Sequence, residues 1–327
     1  ADAERRRRFG DTVTFIVDRN INYTNICVNE CRFCAFYTKQ DAPDAYLLPM
    51  EEILAKVGET AAAGGTQVMI QGGIHPDLPL SYYENMLRSI RERYPSIVIH
   101  SFTATEILYF AQKEGITVED TLRRLQDAGL ASLPGGGAEI LSDRVRAIIC
   151  PKKATRAEWL DCMRTAHELG IRTNASMMYG HIETVEERID HLLALRDLQD
   201  ETGGFQAFML FPFHPENTVL GAEKKLVRVG SWEDMKMLAL SRLVLDNVAH
   251  VKAFWVMLTQ PIAQLALGFG ADDLDGTIGE EKIIHAAGAQ TQTGITRREL
   301  DAMIREAGYV PVERDTFYQP IAAGEGA

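Results

Sequence analysis

Short runs of β-branched and other apolar residues alternate along this chain with longer segments whose apolar positions recur every three or four residues. Alternation of this kind predicts repeated βαβ units around a parallel sheet. Seven runs have clear strand character and an eighth is weaker. They are residues 14–17, 67–71, 97–102, 131–133, 172–179, 205–211 and 251–257, with the weaker run at 265–269.

The segments between these runs have helical periodicity, and several are followed by glycine, which commonly ends a helix. The main predicted helices are residues 51–63, 80–93, 118–129, 155–169, 184–200 and 231–248. Two shorter helices, 279–287 and 296–307, are predicted in the tail. We therefore predict an α/β fold, a TIM-type (β/α) barrel of six to eight parallel strands with a C-terminal helical extension. We treat residues 1–327 as one domain, with the barrel core at about 12–275 and the extension at about 276–327.

A doubly wound sheet is the alternative architecture, because Gly135-Gly136-Gly137 could form a dinucleotide-binding loop. These glycines do not follow the first strand, however. They also lack the G-x-G-x-x-G spacing and the acidic residue about 20 positions further on. The barrel remains the leading prediction.

Charge and composition exclude several classes of protein. The chain has 327 residues, a net charge of −12 and 46% hydrophobic residues, which is ample for a large core and argues against general nucleic-acid binding. No apolar run approaches the roughly 20 residues of a membrane span, and no secretory signal pattern is visible. Five cysteines suit a reducing cytoplasm. We expect a cytoplasmic enzyme without membrane or nucleic-acid partners. The first residue is Ala, which leaves room for a natural segment before it.

Three cysteines on one short segment carry the strongest chemical signal. Cys27, Cys31 and Cys34 are spaced C-x3-C-x2-C, with the aromatic Phe33 just before the third. Three thiolates can hold three irons of a [4Fe–4S] cluster and leave the fourth iron open to a ligand. Such an open iron can bind the amino and carboxylate groups of S-adenosylmethionine. A zinc site would need a fourth ligand from a distant part of the chain, and an odd number of cysteines disfavours a disulfide framework.

Residues at the ends of the predicted strands are candidates for binding the cofactor, because these ends share one face of a barrel. Gly72 and Gly73 follow the second strand and expose backbone carbonyls to a ligand's amine, unless they only form a tight turn. Glu139 follows the fourth strand and could bind a ribose diol or an ammonium group, or could simply start a helix. Arg156 could reach the methionine carboxylate, or could be a surface residue.

Three polar residues at later strand ends are the candidate catalytic groups. His181 and Glu183 follow the fifth strand, and Lys252 lies on the seventh. Lys252 is the best cation for a substrate carboxylate, although a salt bridge to one of the aspartates at 272, 273 or 275 is equally compatible with the sequence.

Several motifs resemble those of radical S-adenosylmethionine enzymes. They are the cysteine segment and residues 71–76 and 180–184, and they are similar to the subgroup that makes menaquinone by the futalosine route and also builds the deazaflavin chromophore. Residues 199–208, 250–257 and 269–277 resemble the aminofutalosine synthase family within that subgroup. The resemblance covers about residues 10 to 320.

This resemblance implies a transferase that consumes S-adenosylmethionine as a co-substrate. The 5′-deoxyadenosyl radical would add to 3-[(1-carboxyvinyl)oxy]benzoate, with aryl migration and loss of a carboxylate, to give 6-amino-6-deoxyfutalosine and methionine. The electron would come from an external donor such as flavodoxin or ferredoxin. Phe208, Phe211, Phe254 and Trp255 are candidates for the pocket wall or for core, and Arg242 joins Lys252 as a candidate cation for the dianionic substrate.

Other activities within the same subgroup remain open at this point. A dehypoxanthine futalosine cyclase would abstract hydrogen and close a ring, and a relative that makes the deazaflavin precursor is a further alternative. A non-catalytic iron–sulfur electron carrier is disfavoured, because such a carrier would supply a fourth cysteine.

Overall fold

The computed structural model describes residues 1–321, in which strands and helices alternate as the sequence pattern predicts. The strands are β1 (Thr12–Ile16), β2 (Asp18–Ile21), β3 (Gln67–Ile70), β4 (Val98–Ser101), β5 (Leu130–Leu133), β6 (Arg172–Tyr179), β7 (Phe205–Pro212), β8 (His250–Lys252), β9 (Asp273–Gly276) and β10 (Val310–Glu313). The α-helices are α1 (Asp2–Phe9), α2 (Met50–Ala62), α3 (Leu80–Arg93), α4 (Ala104–Glu114), α5 (Val118–Ala128), α6 (Asp143–Ile149), α7 (Arg156–Glu168), α8 (Val185–Thr202), α9 (Val219–Lys224), α10 (Ser231–Val244), α11 (Trp255–Leu258), α12 (Gln260–Ala266), α13 (Ile283–Ala286) and α14 (Arg297–Glu306). None of these helices combines the length and apolar character that a membrane span requires.

All strands are parallel, and the sheet closes on itself through the first two. The strand order is β10-β1-β9-β8-β7-β6-β5-β4-β3-β2. β1 and β2 are consecutive in the chain, separated only by Val17. The carbonyl of Val17 accepts from the Thr66 amide at 3.0 Å, beside β3, whereas the carbonyl of Ile16 accepts from the Thr277 amide at 3.1 Å, beside β9. Residues 12–21 therefore join the β9 side of the sheet to its β3 side. Strand β10 pairs with β1 outside this closed set. The predicted TIM-type parallel barrel is confirmed.

The eighth barrel strand is not the predicted one. Residues 265–269 end α12 and continue as a 3₁₀ helix, Leu267–Phe269, so the predicted strand there is wrong. A short apolar run cannot be assigned to strand or helix by periodicity alone. The true strand, β9, contains two aspartates, a residue type depleted in strands. Its polar sequence lacks the apolar run that predicts a strand.

The C-terminal extension is only partly helical. Its two predicted helices are present as α13 and α14, but α13 is one turn long, and β10 follows them and pairs with β1. At the seventh predicted strand, the extended part ends at Lys252, and residues 255–258 form α11.

The main helices match their predicted positions, and local chemistry explains where they begin. Thr103, Thr155, Thr184 and Thr296 each form a capping box at the start of α4, α7, α8 and α14. In each one, the threonine hydroxyl accepts from the amide three residues on, and a glutamate at that position bonds back to the threonine amide. The helix starts are therefore encoded locally.

A buried ion pair ties the extension to the barrel interior. Arg314, just after β10, donates to both carboxylate oxygens of Asp273 at 2.6 and 3.1 Å, and the Thr14 hydroxyl donates to the same carboxylate at 2.6 Å. The Tyr318 ring centroid lies 4.0 Å from the guanidinium carbon. Burial alone would raise the pKa of Asp273, but Arg314 and Lys252 hold it below its ordinary value.

This pair predicts a strong effect of a single substitution on stability. Arg314→Met should lower the free energy of unfolding by about 3 kcal/mol, because it leaves the Asp273 carboxylate buried without its main partner. Denaturant unfolding followed by circular dichroism measures this loss. The matched control is Arg297→Met, which removes an exposed ion pair to Glu313 in the same extension (2.8 Å) and should cost less than about 1 kcal/mol. Equal stability of the two variants would contradict the role of Arg314 as the main partner of the buried Asp273 carboxylate.

Candidate active site

One cavity of about 250 Å³ opens at the C-terminal ends of the barrel strands. The cysteine segment after β2 lines it, as do residues after β3, β4, β5 and β7 and inward-facing residues of the strands themselves. Parallel strands present all their carboxyl ends on one face, and this is where barrel enzymes hold their substrates.

All three motif cysteines line this cavity. The segment that carries them is fastened by backbone hydrogen bonds, from the Cys27 amide to the Thr38 carbonyl at 3.2 Å and from the Cys34 amide to the Cys31 carbonyl at 3.1 Å. Burial raises the pKa of the Cys31 and Cys34 thiols. Against this, the backbone amides of Tyr37 and Phe36 act to lower the pKa of the Cys34 thiol. Buried thiolates of this kind need a cationic partner to be stable.

The donor set fits a multi-iron cluster better than a single ion. Within residues 1–321, no three His, Cys, Asp or Glu side chains come close enough together to hold one metal ion. In a [4Fe–4S] cluster each of the three thiolates would bind a different iron, so the three thiols need not converge on one point as the ligands of a single zinc must. Two buried polar atoms on cavity-lining residues, Thr105 Oγ1 and Asn174 Oδ1, have no hydrogen-bond partner in the described chain. Such atoms suit the polar groups of a bound organic cofactor.

The glycines after β3 are packed directly against the cysteine segment. The Gly73 amide donates to the Thr24 carbonyl at 2.8 Å, and a Cβ at Gly73 would overlap the Ile26 carbonyl oxygen. Gly72 is similarly confined by the ring of Tyr23. The tight-turn alternative is thus observed. Both glycines also line the cavity, so the binding of a cofactor amine by their carbonyls stays a prediction.

Glu139 lies in the cavity beside a cation that the sequence reasoning missed. Its carboxylate is 2.6 Å from the ammonium of Lys153, and its backbone has a positive φ of 48°. Arg156, the predicted cation, is not among the lining residues; its guanidinium donates to the Leu141 carbonyl at 3.4 Å. Lys153 follows the exposed Lys152, and nothing in the residue pattern indicates which of the two adjacent lysines turns inward.

His181 and Glu183 lie outside the cavity lining, with side chains that are fully buried. The Glu183 carboxylate accepts from the Gly180 amide at 2.5 Å and from the Arg188 guanidinium at 2.8 Å, and His181 Nδ1 lies 2.9 Å from it. Burial would raise the pKa of Glu183, but these partners lower it to about 2, and His181 makes the largest lowering contribution. The contacts order the turn into α8. They give no support to the predicted catalytic role of either residue.

Lys252 lines the cavity and forms the salt bridge that the sequence left open. Its ammonium lies 2.5 Å from Asp275, which has a positive φ of 66°. Burial and the neighbouring Asp275 raise the pKa of Asp18, also in the cavity, to about 7. Arg242, the other candidate cation, is buried against Asp272 and does not line the cavity.

Two of the four aromatic candidates form part of the cavity wall. Phe211 and Phe254 line it with their ring centroids 5.8 Å apart, whereas Phe208 and Trp255 belong to the buried core. Methionines, which sequence reasoning did not single out, complete the apolar lining: Met69, Met178, Met209 and Met257. Their flexible thioethers adapt to the shape of a bound molecule.

Comparison with known proteins agrees with this geometry. The profile of the radical SAM superfamily matches residues 21–195, which include the three cysteines and Glu139. A second profile, the CofH/MqnC C-terminal region, matches residues 202–325. The chain belongs to the radical SAM superfamily. It therefore uses a [4Fe–4S] cluster and S-adenosylmethionine, as its motifs predicted.

The relatives of this radical SAM enzyme carry several different reaction names. It is 45% identical over 332 residues to the Methanosarcina acetivorans 5-amino-6-(D-ribitylamino)uracil–L-tyrosine 4-hydroxyphenyl transferase 1, covering 100% of this chain and 87% of that protein. It is 42% identical to the Thermus thermophilus aminodeoxyfutalosine synthase (98% and 87% covered) and to the Streptomyces coelicolor cyclic dehypoxanthine futalosine synthase (98% and 80%). Among solved structures, methylornithine synthase (PylB) shares the fold, with a TM-score of 0.74 and 17% identity over 95% of this chain and 86% of that one. Family membership therefore identifies the cofactors but leaves the substrate open.

The ligand assignment predicts which cysteines matter in this radical SAM enzyme. Cys27→Ala, Cys31→Ala and Cys34→Ala should each abolish cluster assembly, since two thiolates cannot retain the cubane. Iron and sulfide content after anaerobic reconstitution measures this. Cys150→Ala and Cys162→Ala are the controls, because both thiols are buried and neither lines the cavity. A full cluster in any of the first three variants would overturn the assignment.

The packing at Gly73 predicts a second loss of cluster. Gly73→Ala should reduce iron content by at least half, because the added Cβ must displace the Ile26 carbonyl and with it the cysteine segment. Gly268→Ala is the control, since a Cβ there meets no atom within 4 Å. Wild-type iron content in Gly73→Ala would mean that the turn is not coupled to cluster binding.

Proposed function

We propose that this radical SAM enzyme is an aminofutalosine synthase, which joins the adenosyl group of S-adenosylmethionine to 3-[(1-carboxyvinyl)oxy]benzoate. The supporting observation is the wall that the C-terminal half contributes to the cavity. Phe211, Phe254 and Met257 provide an apolar surface for an aryl ring, and Lys252 provides an ammonium beside it. These residues lie in or next to the segments that resemble this family. The product would be 6-amino-6-deoxyfutalosine, with methionine and the lost carboxyl group released.

The cofactor side of the cavity is suited to the methionine part of S-adenosylmethionine. When bound, the cluster supplies the electron that cleaves the sulfonium. Glu139 and Lys153 offer a paired carboxylate and ammonium, which complement the charges of an α-amino acid. The Gly72 and Gly73 carbonyls and the unpartnered Thr105 hydroxyl provide further hydrogen-bonding positions. These groups bind and orient the cofactor, so that the adenosyl carbon is held close to the second substrate.

On the substrate side, the chain's task is to position one carboxylate and exclude water. A substrate carboxylate would share Lys252 with Asp275 or take its place. Asp18, whose pKa is about 7, can hold a proton and so limit the negative charge at the barrel floor. The phenylalanine and methionine wall shields a reactive carbon from solvent.

A second candidate is transfer of the tyrosine hydroxyphenyl group to a ribitylaminouracil. The 45% identity to a protein named for that reaction favours it. So does the polar floor of the cavity, where Asn20, Gln67, Asn174 and Ser176 could hydrogen-bond to a polyol chain. The cyclase reaction is the third member of the set to be tested.

Product analysis separates these three functions. Enzyme reconstituted with its cluster and reduced with dithionite or a flavodoxin system is incubated anaerobically with S-adenosylmethionine and one substrate at a time. The enol-ether benzoate, the tyrosine and ribitylaminouracil pair, and dehypoxanthine futalosine form the three arms. We expect an adenosyl adduct that has lost one carboxyl group, detected by mass spectrometry, in the first arm only.

Two results would contradict the proposal. Free 5′-deoxyadenosine without any adenosyl adduct in the first arm would exclude the synthase. Product in the tyrosine or dehypoxanthine futalosine arm would assign the chain to the corresponding relative. Cys34→Ala enzyme serves as the control in every arm, because it should form none of these products.

A further inference from the structure

The ammonium group of Lys153 lies in the cavity that the three motif cysteines line. Lys153 lies in the loop between α6 and α7, where its amide donates to the Cys150 carbonyl at 3.0 Å. Its ammonium is 5.2 Å from the ring centroid of Phe33, the residue just before Cys34. The side chain is only 15% exposed and lines the same cavity as the cysteines.

The Lys153 ammonium shares its cavity with all three thiols that would hold the cluster, Cys27, Cys31 and Cys34. It also lies against Phe33, which separates it little from the Cys34 end of that segment. In a poorly solvated site, such a charge is screened far less than one at the surface.

Each of the two adjacent lysines in this loop is paired with a carboxylate. Glu139 is the ion-pair partner of Lys153, and it partly offsets the ammonium's field. Lys152, the preceding residue, is 54% exposed and pairs with Glu30 at 3.1 Å. The two adjacent lysines thus have the same charge and nearly the same sequence position, but very different exposure to solvent.

We propose that Lys153 and Glu139 set the reduction potential of the cluster bound by Cys27, Cys31 and Cys34, Lys153 raising it and Glu139 lowering it. Reduction adds one electron to the cluster, and a poorly screened ammonium beside its thiolates stabilises that added charge, whereas a carboxylate destabilises it. The inference requires the cluster but does not depend on which substrate the enzyme uses. Failure of the proposed reaction would leave it intact.

The test is a redox titration of the reconstituted cluster, followed by electron paramagnetic resonance without S-adenosylmethionine. At a fixed potential, Lys153→Met should lower the ratio of reduced to oxidised cluster about tenfold, equivalent to about 59 mV for a one-electron couple. Glu139→Gln should raise the ratio. Lys153→Arg, which keeps the charge, and Lys152→Met, which removes the exposed charge, should both stay within about twofold of wild type.

The opposite signs distinguish an electrostatic role from structural damage. If the two residues had only a structural role, the reduction potential of the cluster would shift in the same direction in Lys153→Met and Glu139→Gln, or in neither. Either result would overturn the proposal. An equal shift in Lys152→Met would overturn it as well, since it would mean that any nearby charge suffices. If Lys153→Met fails to retain its cluster, the sign of the Glu139→Gln shift and the unchanged Lys153→Arg decide the matter.

Discussion

Closure of the sheet through residues 12–21 is the constraint on which the rest of this structure depends. The segment pairs with β9 through its first half and with β3 through its second, and Val17 is the only residue between the two strands. The cysteine segment follows directly, so it is held at the same rim as residues more than 200 positions later. Chain closure thus brings the three motif cysteines and the C-terminal wall into one cavity.

Inside that closed barrel, charged side chains are held by one another rather than by water. Arg314, Asp273, Lys252 and Asp275 form a continuous set of ion pairs and hydrogen bonds from β10 to the cavity floor, in which the Asp275 amide donates to Asp273 at 2.7 Å. Such groups are stable only when every partner is present. The extension is therefore part of the cavity's support. The residue that directly follows its strand β10, Arg314, balances the charge of Asp273.

In the function proposed above, the two halves of the cavity would divide the chemical work. The N-terminal profile region supplies the three thiols, the Gly72–Gly73 turn and the Glu139–Lys153 pair, which would bind the cofactor. The C-terminal region supplies Phe211, Phe254, Met257 and Lys252, which would contact the second substrate. Relatives of 42 to 45% identity that carry different reaction names are consistent with this division. Changes in one wall can redirect the reaction while the radical-generating side stays as it is.

The sequence by itself determined the barrel, its helix starts and the cysteine motif of the superfamily, because these are encoded by local periodicity, capping residues and short spacing. It could not identify β9, whose aspartates are tolerated in a strand only because Arg314 and Lys252 balance their charge. It also could not show that Lys153, rather than Arg156, is the cation beside Glu139 in the cavity. Nor could it show that His181 and Glu183 belong to a buried turn rather than to the cavity. Those choices depend on which side chains the closed barrel turns inward. Only tertiary structure decides this, because the partners are far apart in the chain.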